Sequence, residues 1–367
     1  MNNFRVYVYA ICRNEEKFVD AWMDSMSEAD GVYVMDTGSG DGTVEKLRAR
    51  GAHVVVREVK PWRFDTARNL SMELLPEDAD ICVCTDLDER LEPGWRALLE
   101  SRWPPGTQRA FYTYNWRLKP DGSPYTQLTY FKIHTRRDFE WRLPIHEYLE
   151  YTGPGKESSI YIEELVLNHY PDLEKPRGSY LPMLETAISD EPDNERIVYY
   201  LGREYLYIGQ WQKCIDTLTR QLNMPSSTWR EERCACMRWI ALACLKLDNR
   251  TESYAWYHKA IAECPELRDT YVEFAQAAYD YKDWDAVYYY AETALKITQK
   301  NIKFVNMGYA WDHTADDMAA IACWELGLYE RALEHAKKAA ELSPDIERLM
   351  ENVRRIQDVK NRIKESL

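Results

Sequence analysis

The residues best placed to do chemistry are Asp86-Leu87-Asp88-Glu89, which follow the apolar run Ile81-Cys82-Val83-Cys84. Carboxylates two positions apart at a strand end can both reach a divalent cation that bridges a diphosphate. Mg²⁺ holds oxygen ligands at ~2.0–2.1 Å and is shared between one or two carboxylates and substrate phosphates. The bland alternative is a loop solvated by two acids, but an apolar strand positions these two well for a ligand.

Two further strand ends carry candidates. Ala10-Ile11-Cys12-Arg13-Asn14-Glu15-Glu16 runs from a strand into a helix, where Arg13 and Asn14 can contact a base or phosphate. The same residues also read as a plain helix start, with Asn14 as cap and Glu15 facing the dipole. Asp36-Thr37-Gly38-Ser39-Gly40-Asp41-Gly42 offers an acceptor at a strand tip and glycines that let backbone approach a ligand. Its spacing is neither the dinucleotide glycine fingerprint nor a P-loop, and a calcium loop counted from Asp36 would end on Leu47, which cannot ligate.

Short β-type runs position these groups: Arg5–Cys12, Gly31–Asp36, His53–Val59, Asp80–Asp86, Arg109–Trp116, Leu128–His134 and Ser159–His169. Helical segments at Glu15–Ser27, Thr43–Arg50, Phe64–Leu75 and Pro93–Ser101 alternate with them. That alternation predicts an α/β sheet, whose ligands sit at the carboxyl ends of the strands.

Four ordered segments carry a family resemblance: Ile11–Val19, Asp36–Leu47, Phe64–Asn69, and Asp86–Glu89 followed by Gly94-Trp95. Residues 5–101 resemble a family-2 glycosyltransferase of the GT-A fold, a Rossmann-like mixed sheet. The resemblance implies a nucleotide-sugar donor, a UDP-sugar, and Mg²⁺ or Mn²⁺. It implies Asp36 at the base, Arg68 near the diphosphate, and Asp86 and Asp88 on ribose and metal. Ala10, Arg13, Asn14, Glu15, Gly38, Ser39 and Leu87 would line the donor site. Arg142–Glu147 resembles an acceptor-side His-Glu element, and Leu167–Tyr170 a segment where His169 can complete the metal site. By its chemistry Glu147 is the general base, since a carboxylate beside a metal diphosphate can take a proton from an acceptor. The expected reaction is an inverting displacement, with the metal on Asp88 stabilising the departing diphosphate. No Asp-Asp pair of the commonest family type occurs between Arg109 and Ile145, which leaves the base less secure than the metal site. An Asp-nucleophile phosphatase built on Asp86 and Asp88 is disfavoured by Arg90 two positions on.

After residue 176 the apolar period becomes helical. Units at Arg196–Leu222, Cys236–Cys264, Thr270–Thr298 and Asp317–Pro344 repeat small and aromatic residues, and resemble tetratricopeptide repeats. The expected domains are 1–175 (GT-A), 176–344 (repeats) and 345–367 (a capping helix). The arrangement is similar to bacterial enzymes that join a family-2 domain to such repeats, including the peptide S-glycosyltransferases of glycocin biosynthesis. The expected partners are a nucleotide sugar, a peptide, protein or glycan acceptor, and a second copy of the chain through the repeats. The alternative is a helical-repeat interaction protein with a degenerate, non-catalytic nucleotide-sugar-binding domain.

The 367 residues include 61 Asp and Glu against 47 Lys and Arg, a net charge of -14 that argues against nucleic acid as partner. No run is long enough for a membrane span. Nine cysteines without disulfide-framework spacing point to buried thiols in the cytoplasm.

Overall fold

The computed structural model describes residues 4–172, 180–301 and 304–366. The chain divides into two compact units, Met1–Asp190 and Glu191–Leu367. The boundary expected between residues 175 and 176 lies outside the described residues.

The first unit holds strands β1 (Val6–Cys12), β2 (Gly31–Asp36), β3 (His53–Val56), β4 (Ile81–Cys84), β5 (Glu89–Leu91), β6 (Arg109–Leu118), β7 (Pro124–His134), β8 (Phe139–Arg142), β9 (Tyr148–Tyr151) and β10 (Ser159–His169). Its helices are α1 (Val19–Met26), α2 (Thr43–Ala49), α3 (Phe64–Glu73), α4 (Trp95–Arg102) and α5 (Tyr180–Asp190). Eight strands form one sheet in the order β3-β2-β1-β4-β7-β6-β10-β5, and β8 and β9 form a separate pair. Strands β3, β2, β1 and β4 are mutually parallel, while β7 runs antiparallel to β4 and β6. The central strands are apolar along their whole length because both faces are covered. Val6, Val8 and Ala10 pack with Trp22 and Met26 of α1, and Tyr9 packs on the other side with Trp141 and Leu149.

The parallel register aligns Cys12 with Asp36 and Tyr9 with Cys84. Loops 13–18, 37–42 and 85–88 therefore leave the sheet at one edge. The helix expected from Glu15 begins only at Val19: Asn14 adopts a left-handed φ of 56°, and residues 16–18 form turns, with the Phe18 amide donating to the Glu15 carbonyl. Strands β5, β8 and β9 are too short to show in hydrophobic period.

The fold class needs correction. A parallel half extended by a mixed half, in which β10 runs parallel to β6 and antiparallel to β5, recurs across unrelated functions. The sheet makes this a mixed α/β unit and does not establish the GT-A assignment.

The second unit is helical: α6 (Glu195–Tyr207), α7 (Trp211–Leu222), α8 (Arg230–Lys246), α9 (Arg250–Glu263), α10 (Arg268–Asp280), α11 (Trp284–Lys296), α12 (Thr314–Glu325), α13 (Tyr329–Leu342) and α14 (Glu347–Ser366), with a short 3₁₀ turn at Gly308–Ala310. Helices pair antiparallel as α6/α7, α8/α9, α10/α11 and α12/α13, and each pair packs on the next. Small residues sit where helices cross: Ala275 and Ala278 of α10, Ala291 and Ala294 of α11, and Ala315, Ala319 and Ala322 of α12 are all fully buried in one cluster. Trp211, Trp284 and Tyr329 are the first residues of the second helices in their pairs. Leu349, Val353 and Ile356 of α14 close the end of the array against α12 and α13.

Candidate functional site

Asp36 ends β2 and is fully buried. Its carboxylate accepts the amides of Gly38 and Ser39, each at 2.9 Å, and the Ser39 hydroxyl and Cys12 thiol also donate to it. The glycine-rich loop is thus wound around its own aspartate, as Asx turns are. Gly38, at φ +109°, occupies backbone space that side chains rarely adopt. Asn14 ties the neighbouring loop to it: its Oδ1 accepts the Gly40 amide and its own amide donates to Ser39 Oγ, both at 2.8 Å. The Glu15 amide donates to Thr43 Oγ1 at 2.8 Å. Asn14, Glu15, Asp36, Gly38 and Ser39 therefore stand together as two interlocked loops, with Arg13 exposed beside them. Ala10 and Leu87 are buried and offer no side-chain surface.

The second group centres on Arg68, buried in α3. Its Nε donates to Glu147 Oε1 at 2.8 Å and its Nη2 to Asp86 Oδ1 at 2.7 Å. The segment Phe64–Asn69 makes this possible by gripping the chain around residue 141. Asn69 exchanges two hydrogen bonds with the Trp141 backbone, and the Phe64 amide donates to the Pro144 carbonyl. Lys132 of β7 reaches Asp86 Oδ2 at 3.0 Å and Glu89 Oε1 at 3.5 Å. Burial works against the Asp86 carboxylate, yet Arg68 and Lys132 outweigh it and hold its pKa well below the usual range. Glu89 takes the opposite course: burial and the charge of Asp86 push it up, and it also accepts from the Tyr114 hydroxyl at 2.9 Å.

Asp88 pairs with His169 at the end of β10. Its Oδ2 stands 3.4 Å from His169 Nε2, and His169 Nδ1 bonds the Trp116 carbonyl at 3.0 Å. A ring that donates from Nδ1 to a backbone carbonyl turns its Nε2 lone pair outward, as metal-bound histidines do. Burial disfavours the charged ring, but Asp88 outweighs it and raises the pKa of His169. Asp88 and His169 fit a divalent cation as two ligands from the chain; Asp86 is engaged by Arg68 and Lys132. Among the described residues no group of three or more His, Cys, Asp or Glu could hold a metal ion.

Sequence reading missed Lys132 and Tyr114, and named Glu89 without the buried role it has here. A lysine inside the apolar run Tyr130-Phe131-Lys132-Ile133 was the available signal, since a buried lysine needs a carboxylate partner.

No family model matches the chain, and no curated protein does. It is similar to the crystal structure of MamA at 17% identity, over 45% of this chain and 87% of that one, with a TM-score of 0.38. It is similar to PilF of Pseudomonas aeruginosa at 11% identity, over 48% and 72% of the two chains, with a TM-score of 0.37. It is also similar to a thermophilic TPR protein of Thermus thermophilus at 14% identity, over 48% and 88%, with a TM-score of 0.35. The similarity found is to helical-repeat proteins, and no glycosyltransferase family is matched. The reading as a family-2 glycosyltransferase of the GT-A fold is corrected accordingly, and with it the assignment as an enzyme. No helix of the described residues is long and apolar enough to cross a membrane.

Proposed function

We propose that the chain is a helical-repeat interaction protein whose array takes a polypeptide partner. One observation carries this. The first helices of the four pairs, α6, α8, α10 and α12, touch one another in succession and form one continuous layer. Stacked helix pairs of this kind present extended binding surfaces. The layer carries residues suited to recognition: Trp239 of α8 and Tyr200 of α6 are half-buried, and Arg196 and Arg203 lie over the Tyr200 ring. Aromatic and arginine side chains are what binding hot spots favour.

The α/β unit, in this reading, holds a phosphorylated nucleotide-type ligand at its strand ends without turning it over. Asp88 and His169 fit a Mg²⁺ or Mn²⁺ ion that takes its other ligands from a diphosphate. All nine cysteines are free and buried, which suits a reducing compartment such as the cytoplasm.

A photo-crosslinking residue in place of Tyr200 tests the reading. It is expected to capture one defined protein in cells, and the purified pair is expected to form a stoichiometric complex. Sedimentation of mixed labelled and unlabelled chains separates a second copy from a different protein. If no position on the first helices gives a partner that can be reconstituted, the reading fails.

A further inference from the structure

One segment of the chain already lies on the first-helix layer. Residues 304–311, between α11 and α12, pack on the second unit's first helices; their 3₁₀ turn touches α10 and α12. The contacts are those of a bound peptide. The Met307 amide donates to Asp269 Oδ1 of α10 at 2.8 Å, and Asp269 is buried. The Tyr309 hydroxyl donates to Glu273 of α10, and Arg238 of α8 donates to that hydroxyl at 3.4 Å. Arg238 is itself held by both oxygens of Glu273. The Phe304 ring meets Trp229, before α8, edge-on at 5.4 Å, and Arg268 of α10 lies over the Trp311 ring at 4.8 Å. Just before the segment, Asn301 donates to Glu231 of α8 at 3.3 Å. Backbone and phenol are both read by α10, Arg238 of α8 adds to the phenol, and the Phe304 ring rests on Trp229 just before α8.

These are not the contacts of ordinary inter-helix packing. Aliphatic burial between helices needs no acceptor for a loop amide, whereas extended peptides are recognised through backbone hydrogen bonds plus pockets for side chains.

We infer that the α8–α10 face is a polypeptide-docking site occupied by the chain's own residues 304–311. A partner segment with an aromatic residue five positions before a tyrosine takes the same place once the resident segment is released. This rests on the reading of the array as a polypeptide receptor and names the site and the ligand pattern. An occupant tethered at both ends competes at high effective concentration, so a partner segment binds this face of the intact chain more weakly than it binds the vacated face.

The probe is a fluorescent synthetic peptide of residues 301–312, added in trans to the full-length chain. The Phe304→Ala/Tyr309→Ala variant is expected to bind it ~10-fold or more tighter than the wild type. Adding Asp269→Asn to that variant is expected to abolish the gain. A folded double variant that binds the peptide no better than the wild type overturns the inference. If the double variant loses its helical circular dichroism, hydrogen exchange of the Met307 amide in Tyr309→Phe decides. Exchange through local opening supports a displaceable segment, and exchange only through global unfolding overturns it. Partner binding by the array without peptide uptake counts against this inference alone. Peptide uptake without any partner counts against the broader reading alone.

Discussion

Gly202 of α6 lies directly against Leu218 of α7: a Cβ at Gly202 would come within 2.6 Å of the Leu218 Cγ. Both residues are buried where the first helix pair crosses. Glycine costs a helix about 1 kcal/mol relative to alanine, so its presence at this position is explained by the close approach alone.

Gly202→Ala is therefore expected to destabilise the helical unit by ~1–3 kcal/mol despite its better helix propensity. Adding Leu218→Ala should relieve the clash, so that the double substitution costs less than the sum of the singles. Urea unfolding of the three variants measures it.

The repeats were legible for the same kind of reason. Each turn within a pair contains one left-handed residue: Gly209, Asp248, Lys282 and Gly327. Glycine marks the first and last turns openly, with aromatic Trp211 and Tyr329 close behind. At Asp248 and Lys282 a side chain adopts the same backbone shape and hides the turn from sequence reading. In the first unit, β1, β2 and β4 stood out because strands covered on both faces are apolar throughout. The site was legible in part. Asp36, Arg68, Asp86, Asp88, Glu147 and His169 were all named. The way Arg68 and Lys132 divide them into two groups depends on the antiparallel β7, which the apolar period does not announce. Motif resemblance also led past the structure, since strand-end carboxylates serve ligands in many sheets whatever their function.

Glu232 of α8 supplies a pH test. Burial pushes its pKa up to about 7, with Arg196 and Arg203 opposing, and it bonds Gln221 at 3.1 Å. An acid whose folded pKa is raised binds its proton more tightly when folded. Its contribution is full below the unfolded pKa, near 4.5, and is lost as pH rises toward 7. Glu232→Gln should thus stabilise the helical unit at pH 8 by on the order of 1–3 kcal/mol relative to its effect at pH 4.5. Thermal unfolding at the two pH values checks it; an equal effect at both would count against the assignment.

Arg68 is the buried cation between Asp86 and Glu147. Arg68→Met leaves Glu147 nearly buried without its partner, while Asp86 keeps Lys132. Removing one side of a buried pair costs about 3–5 kcal/mol, and the remaining lysine places this variant at the lower end. Arg68→Lys should not restore stability, because one ammonium cannot serve two carboxylates on opposite sides as a guanidinium fork does. Denaturant unfolding of the α/β unit reads both.

Asp88 and His169 are expected to hold Mn²⁺ only when a nucleoside diphosphate supplies further oxygens. Free Mn²⁺, followed by electron paramagnetic resonance, should fall when UDP is added to the wild-type protein. Asp88→Asn and His169→Ala should each weaken this uptake ~10-fold or more. Uptake unaffected by either substitution would remove the cation from the strand ends.

The central claim is that the first-helix layer binds a polypeptide, and the most direct measurement is the affinity of the reconstituted partner for the wild-type chain and for Tyr200→Ala/Arg203→Ala. The account predicts a stoichiometric complex with the wild type and a loss of ~2 kcal/mol or more with the variant, its helical circular dichroism unchanged. Undiminished affinity in the variant, or turnover of a nucleotide sugar by a chain that binds no polypeptide, would contradict it.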